Sequence, residues 1–314
     1  MQYAMSEVTI IIPILNEQES ILPMYQSLKA RNLADYEIIW VDDGSTDDSF
    51  QKIKEICVAD KQVKCISFSR NFGHQYALLA GMKAAKGNII VHIDGDLQHP
   101  VSLISTMIGK INEGYDIVTT KRMRTEKSGI LKTVFTKIFY RLINFLSETR
   151  ISENAADFRA FNKKVLDRVM EFQEQHLFWR GIFDWVGYKR FDLAYSASPR
   201  EFGKTKYSFR KMFSLARFGI TSFSLKPLRL ALSLGLIISL FAFGFGIYAL
   251  IAYINGRIVS GWTSIIITSM IIGGVQLLVV GILGEYIGNI YREVLKRPKY
   301  LINDTVNISD IDGS

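Results

Sequence analysis

The sequence predicts an α/β fold in which a mostly parallel, doubly wound sheet is followed by a transmembrane hairpin of two helices. Short apolar, β-branched runs alternate with segments of helical spacing through the first part of the chain, as is typical of a parallel sheet. Polar clusters follow these runs. Nearer the C-terminus, residues 230–256 and 258–284 carry no charge, and each stretch exceeds the about 20 residues that cross a bilayer core.

The predicted elements follow one another in order. Residues 8–15, "VTIIIPIL", indicate a buried strand, and "ESILPMYQSLKARN" has the apolar spacing of a helix. "YEIIWVDD" predicts the second strand, and the helix after it is expected to take Ser45 or Thr46 as its N-cap. "VKCISFS", "HQYALLAGMKAA" and "NIIVHID" predict a strand, a helix and a fourth strand.

All four predicted strands end in polar residues. The pairs are Asn16 with Glu17, Asp42 with Asp43, Arg70 with Asn71, and Asp94 with Asp96. Ligands of open parallel sheets bind beyond the carboxyl ends of the strands. We therefore expect these four pairs to form one site.

The acids of Asp94-Gly95-Asp96 indicate a metal site. Carboxylates at positions i and i+2 of an extended chain share a face, and Gly95 is expected to allow a bend that brings both towards one cation. Mg²⁺ and Mn²⁺ favour oxygen ligands, and Mg²⁺ often uses one or two carboxylates with substrate phosphates. The alternative is a solvated turn. His99 is expected to contact the metal-binding carboxylates rather than the metal itself, and His74 could touch a donor substrate.

Basic residues flank the two apolar stretches and predict their orientation. Lys226 and Arg229 precede the first, Arg257 lies between them, and Arg292, Lys296, Arg297 and Lys299 follow the second. The positive-inside rule then places both termini in the cytoplasm. The predicted domains are a cytoplasmic domain (1–225), a hairpin (226–290, spans about 230–255 and 262–287) and a cytoplasmic C-terminal tail (291–314), expected to be frayed after Leu301.

Two further segments, 130–146 and 206–223, are basic and amphipathic and are expected to be interfacial helices, with packing on the soluble domain as the alternative. The net charge of +8 fits attraction to anionic lipid better than nucleic-acid binding. The first apolar run is short and lacks a preceding basic region, so no signal peptide is predicted. Cys57 and Cys65 lack metal-ligand spacing and are expected to be ordinary thiols.

Several motifs together resemble a known family. "PILNEQES", "VDDGSTD", "SRNFGHQYALLAG", "IDGDLQHP", "ADFRAF" and "REFGKTKYSF" precede the spans, and "GEYIGNIYREVLKRPKY" ends the second. In this order they resemble the family-2 polyprenyl-phosphate glycosyltransferases of the dolichol-phosphate-mannose-synthase-like superfamily, most of all the bactoprenol glucosyltransferases. The resemblance covers nearly the whole chain and implies a GT-A nucleotide-sugar-binding domain within residues 1–225.

The resemblance also implies roles for individual residues. Those matching nucleotide-sugar contacts are Pro13, Asn16, Glu17, Asp42, Asp43, Arg70, Asn71 and Asp94. Asp42 could equally well cap its own turn. Those matching the metal site are Asp94, Asp96 and Gln98, and those matching catalytic groups are Asp157, Arg200 and Lys206. Ala156 departs from the glycine that close relatives tend to have.

The implied reaction is a metal-dependent hexosyl transfer with inversion. The resemblance suggests UDP-glucose as donor, with UDP-N-acetylglucosamine or UDP-galactose as alternatives, and undecaprenyl (polyprenyl) phosphate as acceptor. It implies Mg²⁺ or Mn²⁺, a homo-oligomer such as a tetramer, and the cytoplasmic face of the inner membrane, serving O-antigen or cell-wall glycosylation. Because a phosphomonoester has a second pKa of about 6, the acceptor is already ionised, and Asp157 is expected to orient Arg159 or a lysine rather than remove a proton.

Other functions fit the sequence less well. A processive polysaccharide synthase would carry a Q-x-x-R-W motif, and a dehydrogenase would carry G-x-G-x-x-G after its first strand; neither motif is present. A non-catalytic membrane scaffold or lipid-sugar carrier would not need Asp94, Asp96, Arg200 and Lys206 together. Metal-dependent transfer by the purified protein distinguishes these classes.

Overall fold

The computed structural model describes residues 7–31, 35–122, 155–175, 177–195, 224–255 and 261–308. These residues belong to two compact units. The first contains the described residues up to 195 together with those from 296 onwards, and the second contains the described residues between 224 and 295. Segments 130–146 and 206–223, and also Arg200, Lys206 and Arg257, lie outside the described residues.

The first unit is built on one sheet of eight described strands. They are β1 (Val8–Ile14), β2 (Tyr36–Asp42), β3 (Val63–Phe68), β4 (Ile89–His92), β5 (Ile117–Arg122), β6 (Ala155–Asn162), β7 (Arg190–Tyr195) and β8 (Ile302–Val306). Their order is β7-β5-β6-β4-β1-β2-β3-β8. The run β4-β1-β2-β3 and the pair β5–β7 are parallel, whereas β6 and β8 join antiparallel. The predicted fold class is confirmed.

Helices cover both faces of this sheet. Those of the first unit are α1 (Ile21–Lys29), α2 (Ser49–Ala59), α3 (His74–Ala84), α4 (Leu103–Asn112), α5 (Lys163–Val169) and α6 (Trp179–Trp185). Every residue of β1 and β2 is buried, which explains why apolar residues run through these strands without alternation, although β2 also buries Glu37 and Asp42. Helix α3 packs closely on β1, since a Cβ at Gly81 would lie 2.3 Å from Ile11 Cγ2.

The predicted N-cap of α2 is wrong. The helix begins at Ser49 after Asp48, and the Asp48 side chain makes no capping hydrogen bond. Ser45 instead accepts a hydrogen bond from the Asn16 N–H (2.9 Å), and the Thr46 N–H donates to Asn16 Oδ1 (2.8 Å). Ser45 and Thr46 therefore lie in the loop after β2 and are hydrogen-bonded to the loop after β1. The local sequence does not reveal these partners, because they come from a distant segment of the chain.

The prediction of a frayed tail after Leu301 is also wrong. Residues Ile302–Val306 form β8, which pairs antiparallel with β3 at the edge of the sheet. Asn307 then donates from Nδ2 to the carbonyl oxygens of Cys57 (2.6 Å) and Val63 (2.8 Å). The polar residues that suggest fraying belong instead to an edge strand, one side of which faces solvent.

The second unit contains α7 (Lys226–Ile254) and α8 (Trp262–Leu295), which contact each other. Lys226–Ala249 and Thr268–Leu295 are long and apolar enough to cross a membrane. Large apolar side chains on both helices are exposed, for example Phe241 (77%) and Leu277 (74%). A soluble helix would bury such side chains, so these surfaces fit a lipid environment. The domain boundaries proposed from the sequence stay predictions.

Candidate active site

The loops after β1, β2 and β3 are tied together at the carboxyl edge of the sheet. Besides the Asn16 contacts, the Glu17 N–H donates to Ser49 Oγ (3.0 Å). Asp43 accepts from the backbone N–H groups of Phe72 (2.7 Å) and Gly73 (2.9 Å), which fixes the loop between β3 and α3. Burial raises the pKa of the Asp43 carboxyl, and these two hydrogen bonds partly offset that effect.

A cleft of about 480 Å³ opens beside these loops. Its lining includes Asp42, Arg70 and Asn71, and it also includes Asn303 from β8. Among the predicted nucleotide contacts, therefore, Asp42, Arg70 and Asn71 line the cleft itself. Pro13 is buried within β1, whereas Asn16, Glu17 and Asp43 hold the neighbouring loops.

Asp42 combines both roles considered for it. Its Oδ1 accepts from the Ser45 N–H (3.0 Å), as expected of a turn-capping residue, and its Oδ2 accepts from the Ser67 hydroxyl (2.9 Å). Gly44 follows with a φ of +71°, and a Cβ there would lie 2.4 Å from the Arg70 carbonyl carbon. Glycine at this position therefore lets the β2 and β3 loops approach.

Asp94 lies beyond the end of β4 and is held by two histidines. Its Oδ1 is 2.9 Å from His74 Nε2, and its Oδ2 is 3.0 Å from His99 Nε2. The other ring nitrogen of His99 lies 2.8 Å from the Tyr195 hydroxyl. Burial alone raises the pKa of Asp94, but the two histidine contacts outweigh it and hold the pKa well below its usual value. Asp94 is therefore an oriented anion.

Gly95 is required because a side chain would not fit at this position, and not because of the expected bend. Its φ is not in the left-handed region, which Leu97 occupies instead (φ 58°). A Cβ on Gly95 would lie 2.7 Å from Ile14 Cγ2. The glycine between the two acids thus lets the loop after β4 pack against β1.

The acids at this loop fit a divalent cation that is shared with a substrate. Asp96 Oδ1 accepts from the Gln98 N–H (3.2 Å), and both residues follow the strand end directly. Within the described residues, no group of three or more histidine, cysteine or acidic side chains forms a closed metal site. One or two carboxylates suffice for Mg²⁺ or Mn²⁺ when phosphate oxygens complete the coordination. Asp94 and Asp96 would hold the ion.

Asp157 on β6 binds two arginines. Arg180 donates to it through Nε and a terminal nitrogen (both 2.9 Å), and Arg159 donates at 3.1 Å. The predicted pairing with Arg159 is thus present. Burial by itself raises the pKa of Asp157, but the charge and hydrogen bonds of Arg180 and the charge of Arg159 lower it to about 2. So weak a base is poorly suited to accept a proton near neutral pH.

Sequence reasoning missed Arg180. It is a lone cation within the apolar run "LFWRGIF" (177–183), which becomes α6, and that isolation was the available signal. The neighbouring Trp179 is buried and donates from Nε1 to the Gln75 carbonyl (2.8 Å), anchoring α6 on α3. His74 couples the two clusters: burial lowers its pKa, but the Asp94 contact and the charge of Asp157 raise it overall.

His92 within β4 has a structural position. Both of its ring nitrogens are buried without a hydrogen-bond partner among the described residues, and its ring meets Phe161 edge-on at 5.0 Å. Burial and, secondarily, the charge of Arg159 lower its pKa to about 3, so it is neutral at physiological pH. This environment makes His92 a part of the buried core.

Comparison with known proteins adds three findings. The family model "Glycosyl transferase family 2" matches residues 9–170. A prophage bactoprenol glucosyl transferase homolog of Escherichia coli (strain K12) is 38% identical over 300 residues, covering 94% of this chain and 98% of that one. A glycosyltransferase of Bacillus subtilis (strain 168) is 39% identical over 308 residues, covering 96% and 95%.

The fold also resembles a solved structure. A mannosyltransferase from Pyrobaculum calidifontis, in complex with GDP-Man and Mn²⁺, aligns with a TM-score of 0.50 and 14% identity. The alignment covers 94% of this chain and 87% of that one. At this identity the likeness concerns the fold.

Proposed function

The chain belongs to glycosyl transferase family 2, and from that premise we propose that it transfers glucose from UDP-glucose to a polyprenyl phosphate, undecaprenyl phosphate, with inversion. One observation carries the proposal. This chain combines a cleft lined by Asp42 and Arg70 with the acids Asp94 and Asp96 beyond β4, and it also carries two helices long and apolar enough to cross a membrane. Relatives of matching length are named bactoprenol glucosyl transferases, which supports a lipid acceptor.

When bound, a divalent cation would supply charge that stabilises the departing nucleoside diphosphate. Asp96 and Asp94 would hold it, and the Mn²⁺ in the mannosyltransferase complex supports this choice of cofactor. His74 and His99 fix Asp94, because each histidine bonds one carboxylate oxygen. Gln98 places its backbone N–H on Asp96 and so orients the second acid.

The acceptor needs alignment more than activation. A phosphomonoester with a second pKa of about 6 is mostly dianionic at neutral pH and is already a nucleophile. Asp157 therefore acts as a positioning residue that fixes the guanidinium groups of Arg159 and Arg180, and Arg180, about a third exposed, can also face a phosphate. Arg200 and Lys206 are proposed as further phosphate-binding cations.

A transfer assay tests this function. Purified full-length protein given radiolabelled UDP-glucose, Mn²⁺ and undecaprenyl phosphate is expected to form a labelled lipid that extracts into organic solvent, with the anomeric configuration inverted. Undecaprenol without the phosphate is the matched control and should give no product. Preference for UDP-N-acetylglucosamine or UDP-galactose would change the donor, and the absence of transfer to any lipid phosphate would contradict the proposed function.

We propose further that α7 and α8 form a membrane hairpin with residues 1–225 and 291–314 in the cytoplasm. A cysteine replacing Ser260 is expected to react with an impermeant maleimide added to intact cells, whereas one replacing Ser309 should react after lysis. The native thiols should stay silent, because Cys57 and Cys65 are buried and burial raises the pKa of Cys57 to about 12. The reverse labelling pattern would contradict this topology. A homo-oligomer, such as a tetramer, remains part of the proposal.

A further inference from the structure

The last described strand follows the second apolar helix and yet forms one wall of the cleft. Strand β8 pairs with β3, and the Ser69 N–H donates to the Leu301 carbonyl at 3.0 Å. The Tyr300 ring stacks on Phe68 with centroids 4.8 Å apart and planes 15° apart. With the two Asn307 hydrogen bonds at its far end, this segment is fixed at both ends.

A β-bulge places Asn303 at the cleft. Ser67 pairs with Asp304 and Phe68 pairs with Ile302, so the register skips Asn303. A bulge changes the direction of a side chain, and bulges are frequent beside active sites. Asn303 accordingly lines the cleft together with Asp42 and Arg70.

Asn303 has hydrogen-bonding groups that Asp42 and Arg70 lack, and Asn71 is the other carboxamide in the lining. Asp42 accepts only, and each of its oxygens already takes a hydrogen bond from Ser45 or Ser67. Arg70 donates only. The Asn303 carboxamide carries both a donor and an acceptor, and it makes no hydrogen bond within the described part of the chain.

We propose that Asn303 recognises the nucleobase of the donor. The uracil edge presents the N3–H donor beside the O4 acceptor, so Oδ1 would accept from N3–H while Nδ2 donates to O4. This inference rests on the proposed function, because it assigns a specificity-determining residue to the same nucleotide site. The segment that follows the apolar helices thus takes part in donor recognition.

The test compares the binding of UDP and of N3-methyl-UDP to full-length protein in detergent with Mn²⁺, measured by calorimetry. Methylation removes the N3–H donor from which Asn303 Oδ1 would accept, and it leaves the diphosphate unchanged. We expect the wild type to bind UDP about tenfold more tightly than N3-methyl-UDP, and Asn303→Ala to lose most of this preference. Asn303→Ala should also weaken UDP binding about threefold to tenfold.

Thr305→Ala is the matched control on the same strand, since Thr305 is not among the residues that line the cleft, and it should bind as the wild type does. A preference for UDP over N3-methyl-UDP that is as large in Asn303→Ala as in the wild type would overturn the role of Asn303 and leave the proposed function standing. Failure of the wild type itself to bind UDP would contradict the proposed function instead.

Discussion

Asp96→Asn is expected to abolish sugar transfer while the protein still folds and enters the membrane. The substitution removes a charge from the proposed cation site, and a bound cation stabilises the developing charge by several kcal/mol. A loss of about a thousandfold or more follows, because each 1.36 kcal/mol corresponds to a factor of ten. Initial rates of transfer to undecaprenyl phosphate, at saturating UDP-glucose and Mn²⁺, measure the effect.

A chelator should reduce the wild type to the same level, and added Mn²⁺ or Mg²⁺ should restore the wild type alone. Asp192→Asn is a suitable control, because Asp192 is an exposed acid on β7 that pairs with Lys121 at 2.6 Å. It makes the same change of charge outside the cleft and should keep full activity. Asp94→Asn should also be inactive, since it weakens the contacts with His74 and His99. Full activity in either Asp94→Asn or Asp96→Asn would refute the metal assignment.

Asp157→Asn is expected to lower transfer by about tenfold to a hundredfold at every pH from 5.5 to 9. The physical reason is the loss of a charged partner for Arg159 and Arg180, and hydrogen bonds to charged groups contribute about 1.5–3 kcal/mol each. With a pKa of about 2, Asp157 remains ionised across this range, so its own titration should not shape the profile. The wild type and variant should therefore show parallel pH profiles.

A general base at Asp157 predicts a different result. Its loss would then matter most below the second pKa of the acceptor phosphate, and activity would recover as the phosphate became fully dianionic. Recovery at high pH would refute the positioning role. Arg180→Lys separates the two effects, since it keeps the charge but loses the paired hydrogen bonds to Asp157, and it should also be slow at all pH values. Lys206→Ala should reduce transfer to a similar extent.

Folding needs its own measurement in the Asp157 variant. Arg159 is almost completely buried, and breaking a buried ion pair typically costs about 3–5 kcal/mol. A lowered Tm with parallel pH profiles still agrees with positioning. The lowered pKa also predicts an acid limit: the stabilisation from Asp157 is fully present above the unfolded pKa near 4 and is lost as the pH falls through about 2.

The sequence alone determined the first four strands, β1 to β4, where the polar clusters lie and which helices are apolar throughout. Strand β1 is buried on both faces and therefore reads as a continuous apolar run, and ligand-binding residues of a parallel sheet gather at its carboxyl edge. These signals are local in the chain, so periodicity and composition reveal them. Asp42, Arg70, Asp94 and Asp96 could be named for the same reason.

Only the tertiary structure decided which partners these residues have. His99 meets a tyrosine 96 positions away, Arg180 comes from a separate helix to bind Asp157, and Asn307 anchors β8 on Cys57 across 250 positions. The same is true of Gly95, whose need for space comes from Ile14 on another strand. Hydrogen bonding and packing between distant segments depend on the register of the sheet, which no local pattern records. For that reason a polar tail that is predicted to be frayed instead contributes Asn303 to the lining of the cleft.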